Sequence, residues 1–360
     1  MRRRTNNALF VPNWRGGDLY LQRLSAGLER ERVRVSFGDF PGGYFQLTRL
    51  ANAHSSVGVI HIHWLADDFV KRFFWSRNEL KFGVRLFLMA VDTMLCRLRG
   101  IRVVWTVHNL IEHESISPDP EIRVRSLLAR SANVVIAHSE GALDLVQASY
   151  GVDLTRKGRV IPHGNYLGVY PYKRSSKDSL KANLALEDGD FTILYFGRIR
   201  RYKGLQSLLP VFRSVQNGRL RLIIAGSPHN GEIRRWIVDE AQKDERVRLS
   251  LEFIPPQEVA AYFALADVVV LPFQSILTSG SAILAMGFGK CLILPSGARV
   301  LGIPGDRGAI YYKDESGLAE LIATLPQRDL TAMGDYNREI ARMLDWQKIA
   351  AATAKAYRAI

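Results

Sequence analysis

Cysteine is almost missing: 360 residues hold two, Cys96 and Cys291, both in apolar segments. That excludes a disulfide framework and a cysteine-based zinc site, and it fits a reducing, cytoplasmic setting. Two spacings with a known mechanism are missing as well. Without Gly-x-Gly-x-x-Gly the chain does not read as a dehydrogenase, and without His-Glu-x-x-His no zinc-hydrolase helix is expected. No apolar run is long and charge-free enough to span a bilayer, since the greasiest stretch carries Arg85 and Asp92. Met-Arg-Arg-Arg is followed by Thr5-Asn-Asn rather than an apolar core, so no secretory signal is expected. Low-complexity tracts and internal repeats are absent too, which argues against solenoids and disordered arrays.

What is present is enough for two packed domains: 47% of residues are hydrophobic, and apolar runs alternate with amphipathic ones along the chain. Asn7 to Pro12, Val33 to Phe37, Val57 to His63, Ile101 to Val107, Asn133 to His138 and Lys157 to Ile161 read as strands. The same grammar returns at Phe191 to Phe196, Arg219 to Ala225, Val247 to Phe253, Val268 to Leu271, Cys291 to Leu294 and Ala309 to Tyr312. Such alternation predicts an α/β protein with two doubly wound parallel sheets. The expected division is 1–170, 171–335 and a helical stretch 336–360, with the polar segment Pro171 to Ser179 as linker. Ligands of such sheets meet the loops at the carboxyl ends of strands, so a central cleft between the domains is expected near the linker.

Charge is unbalanced: 49 Lys and Arg against 35 Asp and Glu give +14. Phe69 to Arg102 interleaves Lys71, Arg72, Arg77, Lys81, Arg85, Arg97, Arg99 and Arg102 with Phe69, Phe73, Phe74, Trp75, Phe82 and Phe87. It reads either as a helix lying on an anionic membrane surface or as a core-facing helix with a solvated basic back. No RNA or DNA motif accompanies the charge, so nucleic acid is not an expected partner.

The most informative segment is Tyr195-Phe-Gly-Arg-Ile-Arg-Arg-Tyr-Lys-Gly204, which follows a buried strand and precedes the helical spacing of Leu205 to Val215. Gly197 permits a tight exit, Arg198 offers a planar fork of donors and Lys203 a mobile point charge. A helix N-terminus beside Gly204 adds amides, and together these suit a diphosphate. Basic surface charge at a strand end is the plainer reading of the same residues. Other strand ends carry further candidates. Asn13-Trp-Arg-Gly-Gly-Asp18 is either a strand-to-helix turn or a place where backbone approaches a ligand. Trp105-Thr-Val-His-Asn109 puts His108 and Asn109 at a strand's carboxyl end. In His61-Ile-His-Trp64 the two imidazoles share one side of a strand. With no third ligand at convincing spacing, they read better as acceptor contacts than as a metal site.

The chain resembles the GT-B glycosyltransferases, in particular the large bacterial group in which Gly-Arg, a short gap and Lys-Gly grip the diphosphate of a nucleotide sugar. The resemblance implies two doubly wound, Rossmann-like domains facing a central cleft, with the C-terminal helix crossing back to the first domain. It implies Arg198 and Lys203 on the diphosphate and His108 toward the donor sugar, or taking the acceptor proton with Glu112 or Glu114 if the reaction inverts. Gly16, Gly17, Asn165, Gly197, Gly226, Phe253 and Ile254 become donor contacts. Trp14, Arg15, His63, Asn109 and Glu114 become acceptor contacts, with His113 as a further candidate. Val160-Ile-Pro-His-Gly-Asn165 is similar to the group's Val-Ile-Pro-Asn-Gly-Val turn, with His163 in place of Asn. One departure is plain: where the group sets two glutamates eight positions apart, Ile276 and Leu284 stand here. Thr278, Ser279, Gly280 and Ser281 instead offer small hydroxyls and backbone amides at a helix start, suited to phosphate.

The expected activity is therefore hexosyl transfer from a UDP- or GDP-sugar to a glycan or polyprenyl-linked glycan, at or near the cytoplasmic membrane face. No metal or other cofactor is expected, because cations of the chain replace a metal's charge and no Asp-x-Asp pair marks a manganese site. Retention is modestly favoured over inversion. A silent nucleotide-sugar-binding subunit and a same-fold 2-epimerase are the rival readings, the second lacking the carboxylates it needs.

Overall fold

The computed structural model describes residues 6–14, 16–54, 56–65, 78–112 and 118–359, which form two compact units. The first unit is Met1–Gly164 with Asp345–Ile360, and the second is Asn165–Leu344.

The first unit alternates β1 (Asn7–Val11), α1 (Leu19–Arg30), β2 (Arg34–Phe37), α2 (Gln46–Ala53), β3 (Val59–Ile62), α3 (Glu79–Leu98), β4 (Arg102–Thr106), α4 (Pro118–Ser131), β5 (Val134–Ala137), α5 (Glu140–Tyr150) and β6 (Gly158–Val160). Its strands lie in the order β2-β1-β3-β4-β5-β6, all parallel, so β1 and β3 flank the point where the winding reverses. Strands such as Val-Val-Ile-Ala in β5 are apolar throughout because helices cover both sheet faces. Asp18 and Ser139 start α1 and α5 by accepting hydrogen bonds from Leu21 N and Ala142 N, both at 3.0 Å.

The second unit carries α6 (Arg174–Asn183), β7 (Phe191–Phe196), α7 (Leu205–Ser214), β8 (Leu220–Ala225), α8 (Gly231–Ala241), β9 (Val247–Ser250), α9 (Pro256–Leu265), β10 (Val268–Val270), α10 (Gly280–Gly287), β11 (Cys291–Pro295), β12 (Ala309–Tyr312), α11 (Glu315–Thr324) and α12 (Thr331–Met343). The order β12-β11-β10-β7-β8-β9 is again all parallel and reverses between β7 and β10.

Two expectations about the domain limits are corrected. Pro171 to Ser179 is no free linker: Arg174 onward is α6, whose Leu180 packs against the second unit's core. The stretch 336–360 is not one helix. α12 ends at Met343, and a new helix, α13 (Trp346–Arg358), starts at Asp345, whose carboxylate accepts from Gln347 N at 2.9 Å and Lys348 N at 3.1 Å. Only α13 joins the first unit, where Ile349, Ala350, Ala354 and Tyr357 enter the core beside Phe10, Leu21 and Leu24.

Candidate functional site

In the second unit the strand ends at the winding reversal press together. Gly226 follows β8 at φ +141, and a β-carbon on it would lie 2.0 Å from the Gly197 carbonyl oxygen. At Gly204, φ +79, a β-carbon would lie 1.7 Å from the Pro272 carbonyl oxygen, so only glycine fits either place. These approaches set the loop after β7 against the loop after β10, where Gln274 N donates to Tyr202 O at 2.9 Å. Lys203 lies half-buried in that seam, its Nζ 4.7 Å from the centre of the Phe273 ring and 5.3 Å from that of Tyr202. Arg198, on the same loop, is exposed. Among the described residues no carboxylate pairs with either cation. Burial, and then the charge of Arg200, lowers Lys203 to about 8.

Across the seam a β-carbon on Gly197 would stand 2.7 Å from Ser281 Oγ, which places that hydroxyl against the basic loop. Ser279 caps α10, its Oγ accepting from Ala282 N at 3.1 Å, and Thr278 is partly exposed. Gly280 faces the Tyr166 hydroxyl. The structure thus brings Gly197 against Gly226 and against Ser281 at the start of α10, with Lys203 in the adjoining seam. Leu284 is buried in the core, and Ile276 packs on the same cluster. Phe253 is 75% exposed after β9, but Ile254 turns inward, so its side chain is withdrawn from any ligand. Asn165 is corrected too: its Nδ2 donates to Ala341 O at 2.8 Å and its Oδ1 accepts from Leu167 N at 3.1 Å, a structural tie.

One acidic pair was passed over in the sequence. Asp188-Gly-Asp190 has the Asp-x-Asp spacing, yet it precedes β7, at the end of the sheet away from the glycine seam. Asp188 pairs with Lys181, and Asp190 with Arg221 at 3.1 Å, so both charges are compensated by cations of the chain.

In the first unit the strand ends carry imidazoles. His61 and His63 at β3, His108 after β4, His138 after β5 and His163 after β6 are all buried; all but His61 lie around Tyr20, with Trp346 closing one side. The rings of His61 and His63 lie 4.0 Å apart, on the same side of the strand as expected. Their tasks differ. His61 belongs to the core, with Nδ1 2.6 Å from the Tyr357 hydroxyl and Nε2 2.8 Å from Thr106 Oγ1. His63 is 1% exposed with neither ring nitrogen bonded. Trp14, Trp64 and His108 form a ladder, with centroids 5.0 Å and 4.3 Å apart, whose outer rung Trp14 is 43% exposed. Desolvation holds every one of the five imidazoles below its ordinary range: His61 and His163 at about 3, His138 at about 4, His63 and His108 well below. All five are neutral at pH 7.

The loop after His108 is held by a buried ion pair, Arg125 and Glu121 at 2.7 Å. Arg125 donates to Asn109 O at 3.0 Å, and Glu112 N donates to Glu121 Oε1 at 2.6 Å. Asn109, expected as an acceptor contact, donates its amide to Ile111 O at 2.9 Å inside that loop. Gly16 and Gly17 stand in open space ahead of α1. Arg15, His113 and Glu114 lie outside the described residues, as do Phe69 to Arg77. The sequence reading missed His138, Tyr20 and Trp346. A histidine at the end of four successive strands was the available signal for the first.

Residues 190–328 match the family model described as Glycosyl transferases group 1. The chain is 28% identical over 283 residues to a GDP-mannose:glycolipid 4-beta-D-mannosyltransferase of Xanthomonas campestris pv. campestris, covering 76% of this chain and 72% of that one. It is 24% identical over 355 residues to a D-inositol 3-phosphate glycosyltransferase of Corynebacterium glutamicum, covering 92% and 78%. Its fold is similar to that of Anabaena Alr3699/HepE, solved in complex with UDP and glucose, with TM-score 0.71 at 16% identity over 98% of this chain and 99% of that one. Two parallel six-stranded sheets of Rossmann-like winding and these likenesses agree: the chain has the GT-B fold, and its matches support a group 1 glycosyltransferase.

Proposed function

We propose that the protein moves a hexosyl unit from a UDP- or GDP-linked sugar to a glycan or polyprenyl-linked glycan in bacterial surface polysaccharide synthesis. The observation that carries this reading is the pair Arg198 and Lys203, two cations without a carboxylate partner among the described residues, on the loop whose Gly197 meets Ser281 at the start of α10. Cleaving the sugar–phosphate bond leaves negative charge on the nucleotide diphosphate. A guanidinium fork, an ammonium and the amides near Ser279 to Ser281 offset it where it forms, so the transfer needs no metal. The glycolipid acceptor in the name of the Xanthomonas relative supports a lipid-linked acceptor here.

His108 takes a sugar hydroxyl on Nε2. An imidazole held well below its ordinary range is a poor proton acceptor, so hydroxyl recognition is its first role and general-base work the second. Trp14 and His63 belong to the acceptor side in this reading. Retention follows the broad group, while inversion is favoured by the 4-beta linkage in the relative's name and by Leu284 and Ile276 at the positions of the group's acids. A screen of UDP- and GDP-sugars, with and without a polyprenyl-linked acceptor and with and without EDTA, tests the reading. Product appearing only with acceptor, and indifferent to chelator, is the expected result. The anomeric proton coupling of that product distinguishes retention from inversion. Binding without turnover on every pair would favour a silent subunit, which the loss of the two acids also suits.

A further inference from the structure

One contact beside Tyr20 decides where a proton sits. The Ile161 carbonyl oxygen lies 2.8 Å from His138 Nδ1. A carbonyl only accepts, so His138 Nδ1 carries the hydrogen. Burial keeps that ring neutral at pH 7, which leaves its Nε2 as a lone pair. The lone pair faces His108 Nδ1 at 3.4 Å, a long hydrogen bond with one workable polarity: His108 Nδ1 donates. His108 is neutral too, so its remaining nitrogen, Nε2, is an acceptor. That atom is buried, and no group among the described residues bonds it. Trp64, stacked on the ring at 4.3 Å and 13°, and Tyr20, edge-on at 5.1 Å, hold its plane; the His63 ring stands 5.9 Å off.

We propose that His138 is a positioning residue that locks His108 as the Nδ1–H tautomer, so that His108 presents a lone pair and selects a hydroxyl that donates to it. A free histidine side chain prefers the opposite tautomer, so the Ile161–His138–His108 relay imposes a choice the ring would not make alone. The consequence is a specificity rule. A substrate lacking that hydroxyl, or offering a carbonyl or carboxylate oxygen there, leaves Nε2 unpaired or opposed by a second acceptor. The relay stands on the geometry of the first unit; only the identity of the hydroxyl as a sugar's rests on the proposed function.

The test uses the full chain labelled with ¹⁵N at histidine, without substrate, and reads the ring nitrogen shifts of His108, identified by their loss in His108→Gln. The expected spectrum has a protonated Nδ1 and a pyridine-like Nε2; a wild-type His108 protonated at Nε2 overturns the proposal. In His138→Leu the ring should revert to Nε2–H, whereas His138→Gln, whose amide oxygen can accept in place of the imidazole, should keep Nδ1–H. Retention of Nδ1–H in the leucine variant also overturns it. Should that variant fail to fold, the wild-type and glutamine spectra still decide. Kinetically, the leucine variant should raise KM for the nucleotide sugar about tenfold, with glutamine restoring most of it. An Nδ1–H His108 in a protein that turns over no nucleotide sugar would sink the proposed function and leave the relay supported.

Discussion

The Tyr357 hydroxyl meets His61 Nδ1 at 2.6 Å in the first unit's core, joining the last helix to β3 across 296 positions of sequence. His61 passes the link to Thr106 Oγ1 of β4 at 2.8 Å. Tyr357→Phe removes one partner and strands a buried ring nitrogen, which should cost about 1 to 3 kcal/mol. Calorimetry should show the first unit melting earlier while the second unit's transition stays put; coincident, unshifted transitions would refute the link.

Arg198→Ala and Lys203→Ala should each weaken donor use by about 1 to 3 kcal/mol while leaving circular dichroism unchanged, because both side chains sit on a loop rather than in the core. Donor KM and kcat are the measurements. A double variant with wild-type kinetics removes the diphosphate site from these residues.

Lys203 also predicts a pH dependence. Free, it titrates at about 8; a bound diphosphate favours its charged form and so raises that value. Below pH 8 the ammonium is already formed and donor KM should be flat. Above it, binding must take up a proton, and KM should climb up to about tenfold per pH unit until the bound-state value is passed. Lys203→Ala should abolish the climb, and a climb that persists in that variant would assign it elsewhere.

Acid should unfold the first unit before the second. In the unfolded chain each imidazole binds its proton near 6.5, but folded His61 and His163 wait until about 3 and His138 until about 4. Between those limits the unfolded state binds more protons, so stability present above 6.5 drains away as pH falls. At pH 5 the loss is about 2 kcal/mol for each ring, enough across several rings to rival a domain's whole stability. Trp14, Trp64, Trp105 and Trp346 report the first unit by fluorescence and Trp236 the second. Simultaneous acid transitions in both would contradict the assignment.

On α3, Leu80, Val84, Phe87, Met94 and Leu98 are exposed along one face, with Lys81, Arg97 and Arg99 exposed beside them. None of the helices among the described residues is long and apolar enough to cross a membrane. Reversible attachment to anionic liposomes is expected, weakening at high salt and in the double variant Leu80→Ser/Phe87→Ser. Equal sedimentation with neutral and anionic vesicles would end this proposal without touching the transferase assignment.

The sheets were legible because parallel strands buried on both faces write their apolar runs into the sequence, as Phe191 to Phe196 and Val268 to Leu271 do. The glycine seam was half legible: Gly197 and Gly204 stood out, but Gly226 against Gly197, or Gly204 against Pro272, is a meeting of distant loops that no local pattern encodes. The imidazole cluster was hidden for the same reason. Each of His63, His108, His138 and His163 alone looks like a satisfied core histidine; only the parallel register brings their rings around Tyr20. Asn165 and Asn109 misled because a polar side chain in a promising turn had already found its partners in the backbone.

The chain leaves the first unit after Gly164 and re-enters it at Asp345, and at those exits Asn165 N bonds Leu344 O at 2.9 Å. The second unit therefore has its two ends side by side, the arrangement of an inserted domain rather than of a bead on a string. Residues 165–344 should be clonable as an autonomous fragment. A fragment stopping at 164 lacks the helix that completes its core, so the first unit would need a short graft from Gly164 directly to Asp345. The second unit can then be exchanged between relatives as one continuous cassette with two neighbouring junctions, 164/165 and 344/345.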